Sequence, residues 1–234
     1  MDRLIAGYFL LLMGVLVLAA PAAPAELRVV ALRVGDSEEA ARWYADHLGG
    51  EVVLREGRRA VDLGAVELRF VTGLPTADKY ERGSVDHIAF ADADVPGRIA
   101  RLRGAGVRVV QRPQYSTAAD FHYAFIEDPW GGKVEILSDG TEAGFHHVHV
   151  YTKQSDEVFA WYRDRLGGVD AGPFRGFEHL RALQFDGILL IVQQDNGERL
   201  RVPSPESLIH HLGWSSIPGG RSAEAPDGVL LRRY

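Results

Sequence analysis

Two short segments with strand-like alternation carry a histidine and a glutamate that could together bind a metal ion. In Val85–Ala91, His87 lies on the face opposite the large apolar residues, and in Lys133–Leu137 the same holds for Glu135. A sheet that packs on helices through one face leaves its other face free for a concave pocket. Because imidazole nitrogens and carboxylate oxygens both ligate divalent cations, His87 and Glu135 on one such face predict a metal site.

A helix and two further strands are predicted between these two segments. Asp94 can cap the helix, Pro96 suits its first turn, and Ile99 and Leu102 form its apolar stripe. A glycine ends the helix, residues 107–110 and 123–126 are predicted strands, and a turn follows at residues 128–132. The stretch is therefore predicted to be a βαβββ module, with the histidine on its first strand and the glutamate on its last.

The segments Asp86–Phe90 and Glu127–Glu135 resemble the second half of a glyoxalase/bleomycin-resistance/dioxygenase module of the vicinal oxygen chelate superfamily. The resemblance is specific because two separated motifs fall in the right order around a helix, and it identifies a superfamily without identifying a reaction. It implies an α+β fold in which paired βαβββ modules form a curved mixed β-sheet cup with helices on the outside. It also implies a small-molecule substrate with vicinal oxygens.

The same pattern recurs along the chain. Leu27–Val34 alternates as a strand, Asp36 can cap a following helix, and the Trp-Tyr pair that starts at Trp43 returns at Trp161, 118 residues later. A fourth module starts at residues 209–214, with too few residues after it for a helix and three strands. We predict that modules one and two pair as a domain of residues 26–140, and that modules three and four pair as a partial domain of residues 141–234.

In glyoxalase-like members of the superfamily, the first and last strands of both modules supply the metal ligands, so the resemblance implies the ligand positions one by one. In the first pair of modules these positions hold Val29, Glu67, His87 and Glu135, and a valine cannot ligate a metal. The predicted metal site is therefore Glu67, His87 and Glu135. An oxygen-rich set of this kind suits a divalent ion such as Fe, Mn, Ni, Co or Zn.

The second pair of modules offers a weaker candidate metal site at His147 and His211. The 118-residue offset carries Val29 onto His147, so the third module keeps a histidine that the first module lacks. Leu190 or a neighbour stands where a glutamate is expected, and Arg232 stands at the position of the last-strand carboxylate. This second set therefore has two imidazoles and no carboxylate.

Structural roles are alternatives for several of these residues. Glu67 alternates with Arg69 on one strand, which is also typical of an ion pair at the surface. His147 has the alternative role of a hydrogen-bonded strand histidine. His149 shares the inward face with His147 and can line the pocket, whereas His146 is expected to face away from it.

The resemblance implies that a substrate chelates the bound metal through two adjacent oxygens, while the cation stabilises negative charge on oxygen. Glu67 or Glu135 then acts as the catalytic base for a proton next to a carbonyl, in a glyoxalase-like lyase or isomerase. Two alternatives stay open. One is an extradiol-type ring-cleaving dioxygenase, which needs iron held by two histidines and a carboxylate. The other is a metal-free ligand-binding protein of the bleomycin-resistance type, which Val29 favours.

Composition excludes some kinds of site and partner. The 234 residues include 26 basic and 32 acidic ones, with no basic patch interleaved with aromatic residues, so nucleic acid is not an expected partner. The absence of cysteine excludes thiolate metal sites and disulfides. An unfinished second sheet would leave an open edge, so a homodimer is a possible assembly.

The N-terminal residues predict export. Leu4–Ala20 is almost wholly apolar, follows Arg3, and precedes a small-x-small site at Ala23–Ala25. This pattern is typical of a signal peptide of residues 1–25 cut before Glu26, which makes the mature protein periplasmic or secreted. A membrane anchor formed by residues 4–20 is the alternative, because the run is close to the shortest length that spans a bilayer.

Overall fold

Three βαβββ modules and one shortened module follow one another in the computed structural model, which describes residues 23–73, 84–139, 143–197 and 207–234. The first module consists of β1 (Leu27–Val34), α1 (Ser37–Leu48), β2 (Glu51–Arg55), β3 (Arg58–Asp62) and β4 (Glu67–Thr72). The second consists of β5 (Val85–Ala91), α2 (Val95–Gly104), β6 (Arg108–Ser116), β7 (Phe121–Glu127) and β8 (Lys133–Leu137).

The third module consists of β9 (Gly144–Thr152), α3 (Ser155–Leu166), β10 (Val169–Pro173), β11 (Leu180–Phe185) and β12 (Ile188–Gln194). A single 3-10 turn, Phe174–Gly176, connects β10 to β11. The fourth module keeps only β13 (Ile209–Trp214), β14 (Ser222–Glu224) and β15 (Leu230–Arg233) among the described residues.

Helices α1 and α2 start where their capping residues predict. The Asp36 carboxylate accepts hydrogen bonds from the backbone N–H groups of Glu38 and Glu39 at 2.7 and 3.0 Å, and the Asp94 carboxylate accepts one from Gly97 at 2.9 Å. Each helix buries one face against a sheet, so the apolar core lies between helices and sheets. The opposite faces of the sheets are left to form cups, and the predicted α+β fold is confirmed.

The two sheets do not follow the predicted pairing of modules. The seven-stranded sheet has the order β14-β15-β13-β1-β4-β3-β2 and joins modules one and four, while the eight-stranded sheet has the order β10-β11-β12-β9-β5-β8-β7-β6 and joins modules two and three. The prediction that module one pairs with two and module three with four is therefore wrong. Along the chain, the strands change sheet between β4 and β5 and again between β12 and β13, whereas β8 and β9 belong to the same sheet.

Modules that are neighbours in sequence contact each other through their helices. The Tyr44 hydroxyl on α1 donates to the Asp128 carboxylate in the β7–β8 turn at 2.5 Å. The Tyr162 hydroxyl on α3 donates to the Asp227 carboxylate in the β14–β15 turn at 3.4 Å. Both tyrosines are fully buried. Both sheets include strands from either side of residue 140. The division of the chain into two domains at that residue stays a prediction.

Residues 1–22 lie outside the described part of the chain, so the predicted signal peptide and the alternative anchor stay predictions. None of the helices in the described ranges is long and apolar enough to cross a membrane.

Candidate metal centre

Strands β5, β8 and β9 lie side by side and bring three ionisable side chains to one point. Ala89 is opposite Glu135 on β8 and opposite His147 on β9, and His87 lies two residues before it on the same face. The Nε2 atom of His87 is 3.1 Å from Oε2 of Glu135, the Nε2 atom of His147 is 3.3 Å from the same oxygen, and the two nitrogens are 3.4 Å apart. All three side chains are buried, with exposed fractions of 4%, 7% and 0% for His87, Glu135 and His147.

The spacing of these three atoms fits one divalent ion. With metal–nitrogen and metal–oxygen distances of about 2.1 Å, two ligand atoms at a right angle are about 3.0 Å apart, and at a tetrahedral angle about 3.4 Å. The three measured separations lie in this range. Two imidazoles and a carboxylate on one face are also the donor set that leaves further coordination positions open for a substrate. The residues present therefore fit a metal.

The ring nitrogens that point away from this site have their own partners. Nδ1 of His87 is 2.6 Å from the Asp86 carboxylate, which Lys133 also contacts. Nδ1 of His147 is 2.8 Å from Nδ1 of His146, whose Nε2 atom is 2.9 Å from the Asp139 carboxylate. Hydrogen bonds of this kind set the tautomer and the orientation of a ligating imidazole. His146 therefore supports His147 from outside the cup.

Burial and hydrogen bonding set the charges of the three groups. Burial alone would raise the pKa of Glu135, but hydrogen bonds from His147 and His87 outweigh it and hold that pKa far below its ordinary value. Burial lowers the pKa of His147 to about 4, against the opposing effect of Glu135. Burial also acts to lower the pKa of His87, and the hydrogen bonds to Asp86 and Glu135 outweigh it and raise the pKa. The carboxylate is therefore ionised and His147 uncharged at neutral pH, the states that a metal ligand requires.

A third imidazole lies beside these ligand candidates. The ring of His149 is centred 4.6 Å from that of His87, and ring nitrogens of His87, His147 and His149 lie within 4.8 Å of one another. Nε2 of His149 is 3.0 Å from the Gln193 amide oxygen. Burial, followed by the nearby His87 and His147, lowers the pKa of His149 well below its ordinary value. The sequence alternation placed His149 on the inward face, but it did not place it next to His87.

Glu67 is not part of this cluster. It lies on β4 in the seven-stranded sheet, where it is opposite Val29, whereas His87 and Glu135 belong to the eight-stranded sheet. Its carboxylate accepts hydrogen bonds from Arg55 at 2.8 Å and from Arg69 at 3.3 Å. The predicted grouping of Glu67 with His87 and Glu135 is therefore not formed, because it assumed that modules one and two share a sheet. The alternative interpretation of Glu67 as a member of an ion pair describes its contacts.

The predicted pair of His147 and His211 is likewise divided between the two sheets. His211 lies on β13 opposite Ala31, and its Nε2 atom is 2.6 Å from the Tyr234 hydroxyl. Burial is the main cause that lowers the pKa of His211 to about 3, and the charges of Arg232, His210 and Arg69 add to it. The surroundings of His211 are therefore electropositive, unlike those of His87.

The register relates the two sheets position by position. We use the name histidine cup for the concave face of the eight-stranded sheet, which carries His87, Glu135, His147 and His149. We use the name arginine cup for the corresponding face of the seven-stranded sheet, which carries Arg55, Arg69, His211, Arg232 and Tyr234. Five positions of the histidine cup have an equivalent position in the arginine cup. His147 corresponds to Val29, His149 to Ala31, His87 to His211, Glu135 to Arg232, and Leu189 to Glu67. Three of the four ligand positions implied by the resemblance are thus filled in the histidine cup, and the fourth holds Leu189.

Comparisons with known proteins agree with this fold. Residues 26–136 match the profile of the Glyoxalase/Bleomycin resistance protein/Dioxygenase superfamily. A protein of Synechocystis sp. named "Probable lactoylglutathione lyase" is 30% identical over 129 residues, which are 47% of this chain and 93% of that protein. A lactoylglutathione lyase of Haemophilus influenzae is 28% identical over 131 residues, 48% of this chain and 93% of that enzyme.

Solved structures extend the likeness to both sheets. Glyoxalase I from Zea mays has a TM-score of 0.66 at 16% identity and covers 89% of this chain and 92% of its own. A dioxygenase-like protein from Bacillus subtilis has a TM-score of 0.62 at 11% identity and covers 89% of this chain and 84% of its own. At these identities the structures show the fold alone. The chain belongs to the glyoxalase/bleomycin-resistance/dioxygenase superfamily, as the sequence motifs predict.

Proposed function

We propose that this protein is a divalent-metal-dependent lyase or isomerase of the glyoxalase kind, acting in the histidine cup on a small molecule with two adjacent oxygens. The observation that carries the proposal is the convergence of His87, Glu135 and His147 within 3.1–3.4 Å of one another. These three residues hold the ion. Two relatives named as lactoylglutathione lyases, matched over 93% of their own lengths, support this reaction class.

His149 is the candidate proton acceptor in this proposal. When bound, the metal supplies positive charge that stabilises an oxyanion on the substrate. Glu135 is held between two imidazoles and Glu67 lies in the other cup, so neither carboxylate is placed to act as a mobile base. His149 donates its Nε2–H to the Gln193 amide oxygen, which leaves Nδ1 as a lone-pair acceptor on an uncharged ring. An uncharged imidazole can remove a proton next to a carbonyl.

Aromatic rings lie against the imidazole rings of the histidine cup and form part of its wall. The ring of Phe125 is 5.2 Å from that of His87, and the ring of Phe174, from the 3-10 turn, is 5.6 Å from that of His147. The His149 ring stacks on Tyr151 at 5.1 Å. Apolar walls of this kind strengthen electrostatic interactions inside the site, because they exclude the solvent that would screen them.

An extradiol-type dioxygenase is the second candidate, and a specific observation favours it. The ligand set has two histidines and one carboxylate, which is the arrangement of non-haem iron oxygenases, and Leu189 stands where a second carboxylate would be. The histidine pair in this set is His87 and His147, instead of the His147 and His211 pair that the sequence indicated. The dioxygenase reaction requires Fe²⁺ and molecular oxygen, whereas the lyase reaction requires no oxygen.

Metal titration of the purified chain tests the proposal. We expect saturable binding of Mn²⁺, Fe²⁺, Co²⁺, Ni²⁺ or Zn²⁺, weakened at least ~100-fold by His147→Ala and by Glu135→Gln, since each removes a direct ligand. His211→Ala is the matched control and should bind normally, because it lies in the other cup. If the wild-type chain binds none of these ions, the metal-dependent proposal is wrong and the metal-free alternative is favoured.

Activity assays on the metal-loaded chain separate the two reactions. Isomerisation of a hemithioacetal of glutathione without oxygen consumption supports the lyase, and we expect His149→Ala to reduce its rate by about 100-fold or more. Iron-dependent oxygen uptake with a catechol, and no turnover of the hemithioacetal, would instead support the dioxygenase.

A further inference from the structure

The arginine cup contains a cavity whose lining is unlike that of the metal site. The cavity has a volume of about 290 Å³ and is lined by five arginines and a single carboxylate, that of Glu56. The five are Arg55, Arg58, Arg59, Arg69 and Arg232. Arg232 occupies the position that corresponds to the ligand candidate Glu135, so a negative charge in one cup is replaced by a positive charge in the other. A divalent cation is therefore disfavoured in this cavity.

The guanidinium group of Arg59 pairs with the Glu38 carboxylate of α1 at 3.6 Å, and the other four guanidinium groups fall into two sets. Arg55 and Arg69 are held by the shared Glu67 carboxylate at 2.8 and 3.3 Å, and Arg69 also lies 4.4 Å above the Tyr234 ring. Arg58 and Arg232 form no ion pair with any residue in the described ranges. The first set has fixed positions, and the second has positive charge that no carboxylate of the described chain neutralises. Such an arrangement attracts an anion and offers it fixed donors.

The remaining lining suits the carbon part of an organic anion. Ala60 and Val71 contribute to the wall, and the hydrogen-bonded His211 and Tyr234 contribute a polar edge. A guanidinium fork binds a carboxylate or a phosphate through two parallel hydrogen bonds. Arginine, apolar and hydroxyl groups around one cavity therefore match a small molecule that has an oxyanion at one end.

We propose that the arginine cup is a binding site for a small organic anion, a carboxylate or a phosphate ester, held directly by Arg58, Arg69 and Arg232 without a metal. The protein then has two different sites on the two equivalent faces of its repeated scaffold. One face gathers imidazoles around a cation, and the other gathers guanidinium groups around an anion. The proposal does not depend on the reaction in the histidine cup.

Calorimetric titration of the full chain at low ionic strength tests this proposal, with succinate as the carboxylate probe and glycerol phosphate as the phosphate probe. We expect saturable binding of at least one probe, reduced on the order of tenfold by Arg232→Gln and by Arg58→Gln, since each removes a charge-assisted contact. Arg233→Gln is the matched control. It removes the same charge from the next residue of β15, which does not line the cavity, and should leave the affinity unchanged.

The two probes also distinguish the ligand class, because tighter binding of one of them assigns the site to a carboxylate or to a phosphate. His87→Ala should bind either probe as the wild type does, which separates this site from the histidine cup. Absence of saturable binding to the folded chain would overturn the proposal. An equal loss in Arg233→Gln would do so too, because it would indicate attraction to net charge and not to this cavity.

Discussion

Each of the two histidine ligand candidates in the histidine cup has a carboxylate behind it that orients its ring. For His87 the carboxylate is that of Asp86, in direct contact with Nδ1 at 2.6 Å, and for His147 it is that of Asp139, which acts through His146. Asp86 is the neighbour of His87 in sequence and is itself buried, with Lys133 beside it. The charge behind His87 makes its ring a better electron donor and keeps Nε2 directed at Glu135.

This contact predicts that Asp86→Asn weakens metal binding although it removes no ligand. The expected loss in affinity is ~10–100-fold, because an amide orients the imidazole less strongly and no longer increases its basicity. Competition with a fluorescent chelator measures the loss, and circular dichroism checks that the variant is folded. Asp156→Asn, at a carboxylate that is 95% exposed, is the control. Unchanged affinity in Asp86→Asn would show that the contact has no such role.

Turns with a buried aspartate connect each sheet to a helix of another module. In the β7–β8 turn, Asp128 accepts hydrogen bonds from the backbone of Trp130 and Gly132 at 2.9 and 2.6 Å, and from Tyr44. In the β14–β15 turn, Asp227 accepts from the backbone of Val229 at 3.1 Å and from Tyr162. These two turns hold sequence-neighbouring modules together, although their strands belong to different sheets.

The turn at Asp227 predicts a pH dependence of stability. Burial raises the pKa of Asp227 to about 6 from its ordinary 3.8, although hydrogen bonds from Val229 and Tyr162 oppose the change. Between these two pH values Asp227 is protonated in the folded state and ionised in the unfolded state. The contribution of Asp227 to the free energy of unfolding is therefore complete below pH 3.8 and is lost as the pH rises to about 6. The expected loss is on the order of 3 kcal/mol.

The difference in unfolding free energy between the wild type and Asp227→Asn isolates this effect, since asparagine does not titrate. Urea titrations at several pH values between 3.5 and 7 are the measurement. The wild type should lose stability relative to the variant as the pH rises through this window. A constant difference across the window would show that Asp227 has no raised pKa in the folded protein.

At the scale of the whole molecule, the two cups hold complementary parts of one ligand set. The histidine cup lacks the glutamate at Leu189, and the arginine cup keeps that glutamate as Glu67 but has Val29 and Arg232 at two other ligand positions. In the arginine cup the Glu67 carboxylate is neutralised by Arg55 and Arg69, and His211 is hydrogen-bonded to the Tyr234 hydroxyl. The same backbone therefore presents opposite electrostatics on its two concave faces.

This equivalence predicts that a second metal site can be restored in the arginine cup. Val29→His and Arg232→Glu together complete a set with Glu67 and His211, and Tyr234→Phe removes the hydroxyl that now occupies Nε2 of His211. We expect the triple variant to bind a second ion per chain in equilibrium dialysis. Val29→His alone should not, because Arg232 still repels a cation. A folded triple variant with an unchanged metal ratio would show that the cups are not equivalent in geometry.

The predicted homodimer also belongs to this scale and stays a prediction. The seven-stranded sheet ends at β14 and β2, and the eight-stranded sheet ends at β10 and β6. The described part of the fourth module adds three strands to the sheet of module one. That sheet therefore has seven strands, although the sequence predicts that the fourth module leaves its sheet unfinished.

The inward direction of the site residues could be read from the sequence, because alternation is a local property of a strand. It placed His87 and Glu135 on the free faces of β5 and β8, and it placed His147 and His149 together on β9. Capping at Asp36 and Asp94 likewise depends on neighbouring residues only. The superfamily and its α+β fold were implied by the resemblance of Asp86–Phe90 and Glu127–Glu135 to a known module.

Only the tertiary structure decided which of these side chains meet. His147 joins His87 and Glu135, and Glu67 does not, because β9 pairs with β5 whereas β4 pairs with β1 in the other sheet. Strand edges pair through backbone N–H and C=O groups, which are the same in every module. The side-chain pattern of a strand therefore does not identify the strand that will pair with it. The partner of each edge depends on packing between elements that are distant in sequence, and that packing exists only in the folded chain.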